Sequence, residues 1–214
     1  MITAAEMKAL EEQAVQQGVS LEQLMENAGN AIYETVKERY DLLRKQVIIF
    51  AGQGNNGGDG FVAARLFAEE VPVVVLFFGD VEKLSEEAEL NYNKIKDTVP
   101  ILDIRTKEDL ANVHFQKRLK FIFIDALLGT GIKGDAKEPI CYGIDLFNSE
   151  GAIKVAVDLP SGMDPDTGES GEKVCDFDMI VCFHDLKKGL EKFKDKTVVV
   201  GIGIPDSDVK IEKA

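Results

Sequence analysis

Val47-Ile48-Ile49-Phe50-Ala51-Gly52-Gln53-Gly54-Asn55-Asn56-Gly57-Gly58-Asp59-Gly60 reads as a strand running into a glycine-rich turn, with a helix-like segment, Phe61 to Glu69, directly after it. A strand, a glycine turn and a helix start in that order form an anion cradle. Glycine lets the backbone approach a phosphate closely, and the free N–H groups of a first helical turn point at it. A phosphate loop has no need of the two asparagines and the aspartate, which point to chemistry or to a bound cation beside the phosphate. Alone, Gly52-x-Gly54-x-x-Gly57 is a weak fingerprint, because loops that are merely turning satisfy it too.

Outward from this stretch the pattern alternates. Apolar strand-like runs occur at Val47–Ala51, Val71–Phe78, Phe121–Ala126, Lys154–Leu159, Met179–Phe183 and Val198–Ile202. Between them lie amphipathic, helix-like stretches at Phe61–Glu69, Ser85–Thr98, Lys107–Lys117, Pro139–Glu150 and Leu186–Phe193. Strands apolar on both faces that alternate with helices predict a mostly parallel sheet covered on both sides. Upstream, Thr3 with Glu6 and Ser20 with Gln23 match the S/T-x-x-E/Q capping box, so two extra N-terminal helices are expected, reaching Gln17 and Arg39. No repeat or linker-like shift breaks the pattern, and residues 1–214 read as a single domain of the α/β class.

The net charge of −13 repels nucleic acid and anionic membrane, so a phosphorylated ligand needs a local site of amides, lysines or cations. Cys141, Cys175 and Cys182 lack metal-ligand spacing and read as reduced thiols. The first residues lack the apolar core of a secretory signal, and no apolar run is long enough to span a bilayer. A cytoplasmic location is the expectation.

Ligands of open parallel sheets bind outside the carboxyl ends of the strands. Besides the glycine loop, two segments at such ends are rich in polar and glycine residues: Asp125-Ala126-Leu127-Leu128-Gly129-Thr130-Gly131-Ile132-Lys133-Gly134-Asp135, and Asp158-Leu159-Pro160-Ser161-Gly162-Met163-Asp164 continuing to Gly168. Right-handed crossovers put all three tips on one edge, where two strand-tip aspartates, a lysine and many amides are expected to meet. Singly, Asp125 and Asp158 fit loop-fixing roles as well as catalytic ones, and Lys133 fits a solvated charge.

LMENAG (Leu24–Gly29), GQGNNGGDG (Gly52–Gly60), DALLGTGIKGD (Asp125–Asp135) and DLPSGMDPDTG (Asp158–Gly168) together resemble the NAD(P)H-hydrate epimerase family, in order and spacing across nearly the whole chain. The resemblance implies a Rossmann-like three-layer αβα sandwich, a homodimer, and conversion of the R epimer of hydrated NADH or NADPH into the S epimer. A dehydratase that finishes the repair would be a separate protein, or lie in residues not in this sequence. It assigns substrate binding to Asn55, Asn56, Gly57, Gly58, Asp59, to Gly129, Thr130, Gly131, Ile132, Lys133, Gly134, Asp135, and to Asp158. It assigns a potassium ion (K+) to Asn56, Asp125 and Ser161, an amide, a carboxylate and a hydroxyl whose hard oxygens suit an s-block cation.

Hydrated nicotinamide carries a hydroxyl on the carbon next to the ring nitrogen. Inverting that hemiaminal, by water loss and return or by ring opening and reclosure, requires proton transfer at oxygen, the work of a tuned carboxylate. Asp158 is the candidate acid/base, with Lys133 stabilising its charge or orienting the pyrophosphate. Two other functions share the features. One is an NAD(P)-binding oxidoreductase, with Asp80 as ribose-binding acid, although Tyr33-x-x-x-Lys37 precedes the fingerprint. The other is a non-catalytic dimeric scaffold. Lys187, Lys188, Lys192, Lys194 and Lys196 read as a solvated face, Asp164 and Asp166 as servants of the Pro165 turn, and Asn27 as a cap for a neighbouring loop.

Overall fold

The computed structural model describes residues 1–116, 118–131 and 134–205. Two helices, α1 (Ala4–Gln16) and α2 (Leu21–Arg39), precede β1 (Lys45–Ala51) and α3 (Asn55–Phe67). Then follow β2 (Val73–Phe77), α4 (Glu86–Ile95), β3 (Ile101–Asp103), β4 (Lys120–Ala126), α5 (Ile140–Ser149), β5 (Ile153–Val157), β6 (Met179–Phe183) and β7 (Thr197–Val200). The seven strands form one sheet in the order β3-β2-β1-β4-β5-β6-β7, and every pairing is parallel rather than mostly so. The order reverses between β1 and β4, which is where ligands of doubly wound sheets bind. The glycine loop and Asp125 stand at that point.

Both faces of the sheet are covered, which is why its central strands are apolar throughout. One cluster, on the α1, α2, α3 and α4 side, runs from Ile2 to Ile204. On the other side Phe50, Phe78, Phe123 and Phe147 pack ring against ring, with centroids 5.0 to 5.9 Å apart. Each fully buried ring contributes about 1.5–3 kcal/mol of transfer free energy.

The caps act as the sequence implies. Thr3 and Glu6 form the full reciprocal box, while Ser20 accepts from the Gln23 N–H and the Gln23 amide turns instead to Asn27. Asn27 donates to the Ile202 carbonyl at 2.7 Å, tying the loop after β7 to α2.

Three local expectations fail for physical reasons. α3 begins at Asn55, six residues before Phe61, because tight packing overrides the low helix propensity of its glycines. A Cβ on Gly57 would sit 1.9 Å from the Gly52 carbonyl oxygen, and one on Gly60 would sit 2.8 Å from Ala126 Cβ. Among the described residues of the stretch expected at 107–117, a 3-10 turn covers Glu108–Asn112. There the Asp109 carboxylate accepts from the Arg105 and Thr106 N–H groups, and Asn112, Val113 and His114 are weak helix formers. Lys188–Lys196 is likewise a 3-10 segment, and β3, three residues long, was too short to read from its pattern.

The α2–α3 contact places the site helix. A Cβ on Gly29 would lie 2.3 Å from Val62 Cβ and 2.9 Å from the Asp59 carbonyl oxygen, so only glycine lets the two helices approach this closely. Gly29→Ala is expected to destabilise the fold by about 1–3 kcal/mol through overpacking. Gly151→Ala, at an exposed glycine with open space around it, should stay within about 0.5 kcal/mol of the parent. Urea unfolding midpoints of the two variants check this, and equal midpoints would refute the close-approach account.

Candidate active site

Asp125, at the tip of β4, is completely buried, and its oxygens are used in full view of the neighbouring loop. Oδ1 accepts from the Ser161 hydroxyl at 2.6 Å and from the Leu127 N–H at 3.2 Å, and Oδ2 accepts from the Ser161 N–H at 2.8 Å. Ser161 Oγ in turn accepts from the Leu128 N–H at 2.9 Å. Asn56, in the first turn of α3, donates from Nδ2 to the Leu128 carbonyl at 3.0 Å, and its Oδ1 accepts nothing from the described residues. The loops after β1, β4 and β5 are thereby fastened to each other. Burial pushes the Asp125 carboxyl above the ordinary range, and the hydrogen bonds from Ser161 and Leu127 pull against that rise.

A second polar group lies beside the first, because Asp59 is one helical turn beyond Asn56 and Asp158 is three residues before Ser161. Asp158 sits at the tip of β5 with φ +64°, a left-handed conformation that costs a non-glycine residue about 1–3 kcal/mol. Its Oδ1 accepts from the Phe183 N–H at 3.1 Å and from Lys187 Nζ. Lys187 is fully buried and also donates to the Phe183 carbonyl at 2.8 Å. Lys187 is therefore no part of a solvated face. The charge run around it hid a residue that points inward, and a β-bridge between Ile2 and Lys187 is what turns it there. Burial lowers the Lys187 pKa, but the Asp158 charge, aided by Cys182 and Glu11, outweighs it and the net shift is upward.

Asp59 is in the opposite situation. Burial lifts its carboxyl well above the usual carboxylate range, the charges of Asp158 and Glu11 push the same way, and Lys187 offsets them only in part. Glu11, on α1, is raised by burial and by Asp158. Sequence reasoning passed over both Glu11 and Lys187, because neither stands in a glycine motif and only the fold brings them to Asp158.

The remaining candidates are placed as follows. Asn55 opens α3 and is exposed, while Gly57 and Gly58 are buried in its first two turns. The helix's first backbone bond runs from the Gly58 N–H to the Gly54 carbonyl, so the amides of residues 55–57 precede the ladder. Gly129, Thr130, Gly131, Gly134 and Asp135 lie in the loop after β4, whereas Ile132 and Lys133 lie outside the described residues. Asp135 Oδ1 accepts from the Glu172 N–H at 2.8 Å, and a cavity of about 200 Å³ opens between Leu128, Gly129, Asp135, Leu159, Gly162 and Met163. That cavity adjoins the Asp125–Ser161 group, and Asp158 is not among its walls. Asp80, offered as a ribose acid, accepts from the Glu82 N–H and lies 3.5 Å from Lys83. Tyr33 and Lys37 bind Glu70 instead of facing the crevice.

A family model described as YjeF-related protein N-terminus matches residues 21–189. The chain belongs to this family. A relative from Nitrosopumilus maritimus named NAD(P)H-hydrate epimerase is 37% identical over 210 residues, covering 95% of each chain, and one of the same name from Cenarchaeum symbiosum is 36% identical with the same coverage. A Methanopyrus kandleri relative named bifunctional NAD(P)H-hydrate repair enzyme is 36% identical across 96% of this chain, which spans only 42% of that longer protein. Among solved structures, the yeast protein ynu0 superposes with a TM-score of 0.80 at 23% identity, covering 94% of this chain and 87% of its own, a likeness of fold. Asp125, Asp158 and the α3 turn lie inside the YjeF-related span, and α1 with Glu11 precedes it.

A raised folded-state pKa at Asp59 means the fold holds a proton there that the unfolded chain releases at lower pH. The stabilisation is complete below the ordinary carboxylate value and is lost as pH rises through the raised one. Asp59→Asn should therefore gain on the parent in Tm as pH increases from 5 to 8. A difference in Tm that does not change with pH would show that Asp59 is an ordinary carboxylate.

Proposed function

We propose that this chain is an NAD(P)H-hydrate epimerase, converting the R epimer of hydrated NADH or NADPH to the S epimer. One observation carries the reading: the Asp158 carboxylate at the tip of β5 is bonded to a buried ammonium, and close to it Asp59 in α3 is disfavoured as an anion by burial and by the Asp158 charge. A carboxylate paired with a cation suits a base, and a buried carboxyl that keeps its proton suits an acid. Near full-length similarity to proteins named NAD(P)H-hydrate epimerase supports the same reading.

The inversion conserves composition and needs neither oxidant nor reductant. In ring opening, Asp158 takes the hydroxyl proton, the carbon–nitrogen bond breaks to leave an aldehyde, and Asp59 supplies a proton to the departing nitrogen. Rotation and reclosure on the other face reverse both transfers. In the water-loss route the same two groups exchange protons with the hydroxyl oxygen. The amides of residues 55–57 and the α3 dipole receive the pyrophosphate, and the loop of Gly129, Thr130, Gly131 and Asp135 forms the opposite wall. Lys133, outside the described residues, remains a candidate cation on the strength of the sequence motif alone.

The donor set fits a potassium ion. Asn56 Oδ1 has no donor among the described residues, and the Asp125 carboxylate, Ser161 Oγ and the Leu128 carbonyl crowd beside it. Such an ion supplies positive charge that draws an anionic substrate to an acidic protein. The motif resemblance supports a homodimer in the cytoplasm and a dehydratase that consumes the product, and the printed name of longer relatives, bifunctional NAD(P)H-hydrate repair enzyme, supports a second repair activity beside this one.

Purified R epimer incubated with the protein should yield S epimer, followed by chromatography, faster than the spontaneous background. Asp158→Asn should lower the initial rate by about 10²–10⁴-fold, the usual range for loss of a general acid/base. Replacing potassium by sodium should slow the parent. A parent rate equal to the background removes the epimerase reading, and equal rates in the two salts remove the ion.

A further inference from the structure

Lys187 is the deepest charge in the protein that the mechanism above does not use. Its four nearby lysines in sequence, Lys188, Lys192, Lys194 and Lys196, stay at least partly exposed, while Lys187 has no exposed surface. Burying an ammonium costs several kcal/mol unless a partner compensates. Here the compensation is directional: Nζ donates to Asp158 Oδ1 and to the Phe183 carbonyl. The same Oδ1 accepts from the Phe183 N–H, so both of its anchors come from the chain between β6 and Lys187. Oδ2 accepts from none of the described residues, and is the oxygen left for a substrate.

The loop that carries Lys187 is held from outside the crevice. The Ile2 N–H donates to the Leu186 carbonyl at 2.9 Å and the Lys188 N–H donates to the Ile2 carbonyl at 3.0 Å, so Lys187 is bridged to the start of the chain. The Asp166 carboxylate accepts from the Ala4 N–H at 2.8 Å, fixing α1 to the loop that follows Asp158. The groups that face Asp158 electrically are then Lys187 from this bridge, Cys182 from β6, Asp59 from α3 and Glu11 from α1. One cation stands among three carboxylates.

We propose that Lys187 is a positioning residue of the reaction: it pins Asp158 through Oδ1, so that Oδ2 is the proton acceptor presented to the substrate. This rests on the epimerase reading. A buried pair that served only to hold the loop would leave the rate law alone once the fold was restored. A pair that positions the base lowers kcat and leaves KM nearly unchanged, because Oδ2 is then no longer held toward the reacting hydroxyl once the pair is broken.

The test uses the full chain with Lys187→Gln, Lys187→Met, Asp158→Asn and the double variant Lys187→Met/Asp158→Asn. Lys187→Gln keeps a donor for Oδ1 and the Phe183 carbonyl while removing the charge, so it preserves the fold if Lys187→Met does not. Expected for Lys187→Gln is a fall in kcat of about 10²-fold or more, at the lower end of acid/base losses, with KM changed less than about threefold. The double variant should melt above Lys187→Met, because no unpaired charge stays buried, and should be no slower than Asp158→Asn alone. The proposal is overturned if Lys187→Gln keeps its kcat, if its loss lies mainly in KM, or if the two losses multiply in the double variant. A parent rate at the spontaneous background sinks the epimerase reading and this inference together, whereas an active parent with an indifferent Lys187→Gln sinks the inference alone.

Discussion

A single buried carboxylate organises the crevice. Asp125 has no exposed surface, and an isolated carboxylate in that position would be prohibitively costly without donors. Its donors come from Ser161 and Leu127, so the charge at the tip of β4 is compensated only when the loop after β5 closes over it. The Leu128 carbonyl, displaced toward α3 by the same loop, then meets the Asn56 amide. Three sequence segments separated by scores of residues are held in register by one demand for hydrogen bonds. The placement of Asp59 and Asp158 follows, since each is rigidly connected to a member of that set.

The second polar group is built on the opposite logic. Asp125 is surrounded by neutral donors, but Asp59, Glu11 and Asp158 are surrounded by each other, with Lys187 as the counter-charge. One ammonium cannot serve three carboxylates equally. Geometry gives it to Asp158, and Asp59 and Glu11, raised first by burial and then by the Asp158 charge, hold their protons more tightly. The left-handed backbone of Asp158 is a further cost borne locally, the kind of strain that surrounding structure sustains at working sites.

What the sequence made legible follows from the range of the signals. Strand cores such as β1 and β6 are read almost to the residue because a central parallel strand must be apolar on both faces. The α3 start was misplaced because glycine has low intrinsic helix propensity, and much of the packing that overrules it, against Met25 and Ala126, comes from elements distant in sequence. The motif residues Asn56, Asp125, Asp158 and Ser161 stand out as polar groups at strand tips. Glu11 and Lys187 do not, since a glutamate on an amphipathic helix and a lysine in a basic run look like surface. Only the β-bridge between Ile2 and Lys187 and the docking of α1 reveal which way they face.

That last point bears on how the fold divides its labour. The matched family region begins at residue 21, in α2, yet the surroundings of Asp59 and Asp158 include Glu11 from α1 and a lysine bridged to Ile2. A Rossmann-like sheet alone supplies amides and aspartates at its carboxyl edge. In a protein of net charge −13, such carboxylates repel an anionic ligand. The N-terminal segment adds a lysine turned inward onto Asp158 and a glutamate whose charge joins burial in raising the Asp59 carboxyl. The sheet supplies the aspartates, and the buried cation that compensates one of them is held in place from outside the sheet.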